Sequence, residues 1–280
     1  MGRWVPPRAC YGPPRMSDES PEALDLTRVF QLEPHGPDTY VGESPPYSWG
    51  RIYGGLVIAQ ALWAATQTVD PRYAVHSLHA YFILGGDLRE PVRYEVDRVR
   101  NGRSFTTRRV AARQSGGAIL TLGCSFQVAE QGPETQSEKL PEVPSPDTLK
   151  QELDAGAHRC NVEWPKGGTP RSTAWGRFPE LLGDDERLQC AGLAYLSDMN
   201  PMSAIHRSHP DDKDGDLMGA SLDHAMWFHR PVRADDWVLI DMNAHGMIGS
   251  RGLATGHVFN GDGTHVATIA QEGLLRVKRS

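Results

Sequence analysis

The first half of the chain contains one segment that is apolar nearly all round, GGLVIAQALWAATQTV, from Gly54 to Val69. Two glycines open it and good helix formers follow. A helix without a polar face is a buried one, so the pattern predicts a central buried helix. Four shorter segments after it are typical of strands: HSLHAYFI, VRYEVDRV, SFTTRRVAARQ and AILTLGCSFQV. Ser115-Gly116-Gly117 predicts a hairpin turn between the last two.

The same order returns after a polar segment, EQGPETQSEKLPEVPSPDTLK. Its four prolines and many charges cannot bury much surface, which indicates a linker. Beyond it, CAGLAYLSDMNPMSAIH predicts a second apolar helix. The strands predicted after that helix are SLDHAMWFH, DWVLIDMNA, RGLATGHVF and THVATIAQEGLLRV. Gly261-Asp262-Gly263 predicts the turn of the last hairpin.

The two halves therefore repeat one architecture. The alignment that places Gly263 on Gly117 also places Trp227-Phe228 on Tyr81-Phe82, although identities are few. The pattern predicts an α+β fold in which two tandem units each hold one buried helix and an antiparallel sheet. The predicted boundaries are a tail or disordered segment at 1–24, a first domain at 25–130, a linker at 131–168 and a second domain at 169–280.

Composition excludes several classes of function. A net charge of −6 leaves no basic excess to neutralise phosphates, which argues against nucleic acid or an anionic membrane as partner. No apolar stretch is long enough for membrane insertion, and the first residues lack the apolar run of a secretory signal, so we expect a cytoplasmic protein. Met16 is an alternative start to Met1. The four cysteines, Cys10, Cys124, Cys160 and Cys190, are scattered and indicate neither a zinc site nor a disulfide framework.

Several motifs together resemble the acyl-CoA thioesterase II family of double hot-dog thioesterases. They are YGGLVIAQAL, VHSLHAYFI and RNGRSFTTRRVAARQ in the first half, and YLSDMN, SLDHAMWFHRP, SRGLATG and AQEGLLR in the second. The resemblance covers roughly residues 20 to 280. It implies two tandem hot-dog domains, each a sheet wrapped around a central helix, which together form a pseudo-dimer.

The resemblance also implies hydrolysis of acyl-CoA, expected to be of medium to long chain, to a free fatty acid and CoA, without a metal or organic cofactor. Carried onto this sequence, the family's catalytic residues are Asp198 in LSDMN, Ser221 in SLDH and Gln271 in AQEG. Ser221 stands where some members have threonine and keeps the hydroxyl. Hot-dog sheets commonly associate, so we expect a homo-oligomer, and the absence of a peroxisomal tail favours the cytoplasmic, bacterial type.

These three residue types suit thioester hydrolysis. Asp198, expected at a helix start, can act as a general base worth about 10²–10⁴-fold, while Ser221 and Gln271 can hold one water on the thioester carbonyl. A backbone N–H at a helix N-terminus would add about 3 kcal/mol of oxyanion stabilisation. Each residue also has a structural interpretation: Asp198 as a helix cap, Ser221 as an ordinary strand serine, and Gln271 as a partner of buried backbone groups.

Gly54 and Gly55 are candidate substrate-binding residues, because glycines at a helix start permit close backbone approach. Tight packing of the helix on the sheet explains them equally well. In the alignment of the halves, the helix start bearing Asp198 falls where Gly54-Gly55 lie. If so, only one of the two related sites carries the carboxylate, which predicts one active centre per chain.

The stretch SLDHAMWFHRP places Asp223 beside His224 on a predicted strand, where neighbouring side chains point to opposite faces and cannot form a dyad. Ser221 and Asp223 share a face, which makes Asp223 the chief rival to Asp198 as the acid. The Asp-His pair is predicted to be structural. Packing or structural hydrogen bonds are the expected roles of His76, His79, His224 and His229.

Two other functions stay open at this level. A hot-dog enoyl-CoA hydratase or dehydratase usually sets an Asp and a His together, whereas here Met199 and Asn200 follow Asp198 and His206 comes later. A non-catalytic acyl-CoA-binding protein would lack the polar set or carry a DNA-binding domain, and no such domain is visible.

Overall fold

The computed structural model describes Leu26 and residues 28–165, 170–209 and 217–277. The expected tail at 1–24 and the choice between Met1 and Met16 fall outside the described residues, as does the last part of the expected linker.

Three α-helices and fourteen strands make up the described chain. The helices are α1 (Gly54–Thr66), α2 (Glu186–Ser197) and α3 (Pro201–Arg207). The strands of the first half are β1 (Glu33–Pro34), β2 (Thr39–Gly42), β3 (Tyr73–Phe82), β4 (Val92–Asn101), β5 (Phe105–Gln114) and β6 (Gly117–Val128). Those of the second half are β7 (Gln151–Asp154), β8 (Ala157–Val162), β9 (Arg171–Arg177), β10 (Leu217–Ser221), β11 (Asp223–Phe228), β12 (Val238–Ile248), β13 (Arg251–Asn260) and β14 (His265–Val277).

The strands pair into one antiparallel sheet that runs through both halves. Its order is β1-β2-β4-β5-β6-β3-β11-β14-β13-β12-β9-β8-β7, and β10 pairs with β14 beside this path. The halves meet where β3 pairs with β11, with Ala225 opposite His79 on one side and opposite Ala270 on the other. One backbone ladder therefore joins the two repeats at their centre.

Helix α1 is buried as its sequence predicts. Its residues from Gly55 to Leu62 are all buried, and it packs on β4, β5 and β6 and against α2. The one long polar side chain in that run, Gln60, has its polar atoms satisfied. Its Nε2 donates to Val29 O at 2.7 Å and to Glu43 O at 3.0 Å, and its Oε1 accepts from Tyr94 Oη at 2.7 Å. The polar residue therefore fits the core because its amide is fully bonded.

The expected second helix is wrong in its extent, because two helices replace it. Helix α2 begins after Asp185, whose side chain accepts from the Arg187 N–H at 3.0 Å as an N-cap. It ends at Ser197, and Pro201 opens α3 as its first residue. Proline favours a helix's first turn and interrupts a longer helix, which accounts for the break.

The expected position of Asp198 at a helix start is therefore wrong. Asp198 is the C-cap residue of α2, with φ −84° and ψ −1°. Its carboxylate lies where one helix ends and not where it begins.

Two further expectations change in the second half. Strands β7 and β8 lie within 131–168, so part of the expected linker belongs to the sheet. The single strand expected over SLDHAMWFH is divided at Leu222 into β10 and β11. Both glycine turns are confirmed: Gly117 has φ 123° and Gly263 φ 89°, values that favour glycine.

One large hydrophobic core spans both halves and includes the inward faces of α1, α2 and α3. A smaller cluster lies between β8, β9, β12 and β13 around Trp175 and Phe259. Within the described residues, no helix is both long enough and apolar enough to cross a membrane.

Candidate active site

A cavity of about 560 Å³ opens where α1 begins and where β10 passes into β11. Asp198, Ser221, His206 and Arg51 contribute its charged and polar side chains. Its apolar wall includes Val57, Phe82, Leu120, Met202 and Leu217. This volume is within the usual range of small-molecule sites, so the cavity is large enough for an acyl group.

Asp198 enters the cavity from the end of α2 and faces the start of α1. A Cβ added to Gly54 would lie 2.6 Å from Asp198 Oδ2, and one added to Gly55 would lie 2.4 Å from the Tyr195 carbonyl oxygen. Only glycines permit this approach of the two helix ends. The expected equivalence of Asp198 with Gly54-Gly55 in the repeat is wrong, because Gly54 begins α1 whereas Asp198 follows the end of α2.

Burial raises the pKa of Asp198 from its ordinary 3.8 to about 7. The Gln271 side chain, the Gly55 amide and the Ser221 hydroxyl act in the opposite direction, but they do not offset the loss of solvation. One carboxylate oxygen, Oδ1, is enclosed and has no hydrogen-bond partner. A carboxyl group that titrates near neutrality can take a proton from water and return it, as a general base must.

Ser221 and Gln271 meet beside this carboxylate. Gln271 Nε2 donates to Ser221 Oγ at 2.8 Å across the β10–β14 pair. Gln271 is fully buried, and its Oε1 faces His224 Nδ1 at 2.5 Å. The structure thus brings together the three side chains that the sequence singled out, although they come from the end of α2, from β10 and from β14.

The rival acid, Asp223, is bonded elsewhere. Its Oδ1 accepts from the Glu272 N–H at 2.6 Å, and it does not line the cavity. The carboxylate therefore fixes β11 to β14, in keeping with the structural role predicted for it.

His224 makes buried hydrogen bonds, in keeping with the role predicted for it, and one of them joins its Nδ1 directly to Gln271. Ser197, at the end of α2, contacts the other ring nitrogen, Nε2, at 2.9 Å. Sequence reasoning missed this link, since no local pattern joins residues in a helix end and two strands. The other three histidines with a predicted structural role do not line the cavity: His76 bonds Ser125, His79 packs on Trp227, and His229 bonds Thr268.

No group of three or more His, Cys, Asp or Glu side chains within the described ranges is arranged to hold a metal ion. Asp198 and Ser221 in the cavity, with Gln271 beside them, can form hydrogen bonds to a water molecule or a carbonyl group.

Two models of known domains match adjacent parts of the chain. "Acyl-CoA thioesterase N-terminal domain" matches residues 44–127 and "Acyl-CoA thioesterase C-terminal domain" matches residues 129–275. The chain belongs to the acyl-CoA thioesterase II family. As a member of that family, it is a thioester hydrolase that acts on acyl-CoA.

Relatives of this family match along most of their length. Acyl-coenzyme A thioesterase 8 of Mus musculus is 34% identical over 289 residues, covering 90% of this chain and 89% of its own. Acyl-CoA thioesterase 2 of Haemophilus influenzae is 32% identical over 278 residues, covering 90% and 97%. The similarity therefore includes both halves of the thioesterase.

Solved structures give the same result for the fold. An acyl-CoA thioesterase II from Mycobacterium marinum has a TM-score of 0.79 and 37% identity, and the match covers 90% of this chain and 97% of that one. A hot-dog protein from Alicyclobacillus acidocaldarius has a TM-score of 0.76 at 18% identity, covering 90% and 98%. This thioesterase therefore has the hot-dog fold that the sequence predicts.

Proposed function

We propose that Asp198, Ser221 and Gln271 hold and activate the water that hydrolyses the acyl-CoA thioester. Asp198 is the general base in this scheme. Ser221 and Gln271 orient the water through the hydroxyl and the amide. The observation that carries the proposal is a carboxyl group whose pKa burial raises to about 7, beside the Gln271–Ser221 hydrogen bond.

The reaction balances with these groups alone. Asp198 takes a proton from the water while the water oxygen bonds to the carbonyl carbon, and the carbonyl oxygen becomes an oxyanion. The tetrahedral intermediate then breaks its carbon–sulfur bond, and the CoA thiolate leaves. The proton held by Asp198 passes to the sulfur, so the products are a fatty acid and CoA.

The start of α1 is the proposed binding site for the thioester carbonyl. The first amides of a helix have no partner within the helix, and its dipole favours negative charge there. Tyr53, the N-cap residue, makes no side-chain cap at this end. The Gly55 amide contacts Asp198 and so helps to position the base, and the Gly54 amide beside it is the donor proposed for the carbonyl oxygen.

A medium to long acyl chain is the proposed substrate. The apolar wall formed by Val57, Leu120, Met202 and Leu217 supports this class, as does the cavity volume of about 560 Å³.

The double hot-dog arrangement is also part of the proposal, with domains at 25–130 and 169–280 joined through 131–168. One helix and one set of antiparallel strands in each half support it, as does the β3–β11 pair between them. A second cavity of about 600 Å³ lies at the other end of that pair, where Asp184, Asp185 and Glu186 begin α2. At that helix start the Asp185 side chain already accepts from the Arg187 N–H, which supports one active centre per chain.

A homo-oligomer in the cytoplasm completes the proposal. Tyr81 is 64% exposed and Trp227 36% exposed on the outer face of the central strand pair, and aromatic side chains of this kind favour association. Sedimentation equilibrium measures the assembly: a mass of one chain at micromolar concentration would contradict it.

Hydrolysis of acyl-CoAs from four to eighteen carbons, followed with a thiol reagent, tests the function. We expect CoA release by the wild type that falls by about 10²–10⁴-fold in Asp198→Asn. Asp223→Asn is the matched control, because it changes a neighbouring carboxylate outside the cavity. It should lower stability and leave turnover per folded molecule nearly unchanged. Full activity in Asp198→Asn, or its loss only in Asp223→Asn, would reassign the base.

A further inference from the structure

A chain of buried hydrogen bonds runs from the end of α2 to the cavity wall. Ser197 Oγ contacts His224 Nε2 at 2.9 Å, His224 Nδ1 contacts Gln271 Oε1 at 2.5 Å, and Gln271 Nε2 reaches Ser221 Oγ at 2.8 Å. Ser197 and Gln271 are 0% exposed, and His224 is 1% exposed. Water therefore cannot substitute for any member of the chain, and each contact constrains the next.

The atoms in contact determine where the His224 hydrogen lies. An amide oxygen only accepts hydrogen bonds, so the ring nitrogen that faces Gln271 Oε1 must be the donor. Burial lowers the pKa of His224 to about 4, so the ring is neutral near pH 7 and carries one hydrogen, on Nδ1. Nε2 is then an acceptor, and Ser197 Oγ, which lies 2.9 Å from it and 2.8 Å from the Ala194 carbonyl oxygen, has one hydrogen for these two acceptors.

The tautomer of His224 and the orientation of the Gln271 amide are therefore coupled. With Nδ1–H bonded to Oε1, the NH₂ group of Gln271 points to Ser221 and donates to it. Ser221 then uses its oxygen as the acceptor, and its own hydrogen is available to the carboxylate or the water. A ring with its hydrogen on Nε2 would instead bond the NH₂ group, and the amide would turn its oxygen toward Ser221.

We propose that His224 is a positioning residue for hydrolysis: held by Ser197, it fixes the Gln271 amide with its NH₂ group toward Ser221. The inference rests on the proposed roles of Asp198, Ser221 and Gln271. His224 does not line the cavity, so it acts on the reaction only through Gln271. Asp223, its neighbour, bonds a backbone amide and has no path to the site.

Four variants, compared with wild type and Asp198→Asn, test the proposal. His224→Leu removes the donor, Ser197→Ala removes the contact at Nε2, and His224→Asn keeps a nitrogen donor near the place of Nδ1. His76→Leu is the matched control, because His76 also bonds a serine hydroxyl, Ser125 Oγ at 2.8 Å, on the other half of the sheet. Each variant is assayed for kcat, KM and the pH dependence of kcat/KM, with folded protein quantified by urea unfolding.

Misplacement of the amide should lower kcat in His224→Leu by about 10²-fold, with KM little changed. The acid limb of kcat/KM should also move to higher pH, by about half a unit or more, because the Gln271 contact that lowers the Asp198 pKa is lost. His224→Asn should recover most of kcat, and Ser197→Ala should show a smaller loss in the same direction. His76→Leu should match wild type in kcat and in pH midpoint.

The outcomes separate this inference from the proposed function. No hydrolysis by wild-type protein, or an active Asp198→Asn, contradicts the proposed function itself. Wild-type hydrolysis that depends on Asp198, with folded His224→Leu and Ser197→Ala both at wild-type kcat and pH midpoint, overturns the inference alone. If His224→Leu does not fold, Ser197→Ala decides: unchanged kcat and midpoint overturn the proposal, and the predicted decrease supports it.

Discussion

Replacing Asp198 with asparagine is expected to stabilise the protein while it abolishes turnover. The wild-type carboxyl group is held in a site where burial raises its pKa from 3.8 to about 7. The folded state therefore keeps a proton between these two pH values that the unfolded chain has released. Wild-type stability accordingly falls as the pH rises from 3.8 to about 7, and above pH 7 the full free-energy cost of burying the ionised carboxylate is present.

The size of this effect follows from the two pKa values. One pKa unit corresponds to about 1.4 kcal/mol, so the ionised carboxylate costs up to about 4 kcal/mol at pH 8. At pH 5 only the first part of the window has been crossed, and the cost is about 1.6 kcal/mol. Asparagine has nearly the same shape and no charge, so Asp198→Asn should gain about 2–3 kcal/mol more over wild type at pH 8 than at pH 5.

Urea unfolding of both proteins at the two pH values measures this difference directly. CoA release, measured in parallel, should be lost in Asp198→Asn at both. Asp223→Asn is the control, since it removes a carboxylate that accepts a backbone hydrogen bond and should lose stability. If Asp198→Asn were less stable than wild type at pH 8, or if its gain in stability did not depend on pH, the carboxylate would not be the buried base with a raised pKa that we infer.

Two further predictions concern the core around the site. Gly54→Ala should reduce kcat by about 10²-fold, because its Cβ would lie 2.6 Å from Asp198 Oδ2 and displace the base, whereas Gly123→Ala, with nothing within 4 Å, should be fully active. Arg108→Met should lower the free energy of unfolding, measured in urea, by about 3 kcal/mol or more, because Arg108 is buried and donates five hydrogen bonds. The control Arg109→Met changes an exposed arginine and should lower it by less than about 1 kcal/mol. An active Gly54→Ala, or an equally stable Arg108→Met, would contradict them.

The sequence was sufficient for those parts of the fold that hydrophobic pattern alone determines. The apolar run from Gly54 predicts α1, and strands β3 to β6 follow from their alternating or apolar segments, whereas β1 and β2 were not predicted. The turns at Gly117 and Gly263 follow from the glycines, whose positive φ other residues rarely adopt. These features depend on neighbours in the chain, which a single sequence displays.

The second half shows where such reasoning stops. The apolar pattern predicts one helix that continues through Pro201. Pro201 instead begins a separate helix, so Asp198 lies at the end of α2 and not at a helix start. The short strand β7 has polar or charged residues at three of its four positions, so its sequence is indistinguishable from a linker until β8 pairs with it. The helix break is set locally by Pro201, and β7 is set by its pairing with the neighbouring strand β8.

The family motifs identify the residues proposed for catalysis, but they do not predict how these residues are arranged in space. Asp198 faces glycines of the other half, and Gln271 depends on His224 and Ser197. Each of these contacts joins segments that are far apart along the chain. The pKa of Asp198 is likewise a property of the packed cavity, because burial is its main cause.

The most direct test of the account is the pH dependence of kcat/KM for acyl-CoA hydrolysis by the wild-type enzyme between pH 5 and pH 9. A buried base must lose its proton before it can activate water, so kcat/KM should rise about tenfold per pH unit below a midpoint near 7 and level off above it. A profile that is flat across this range, or one that falls as the pH rises through 7, would contradict Asp198 as the base.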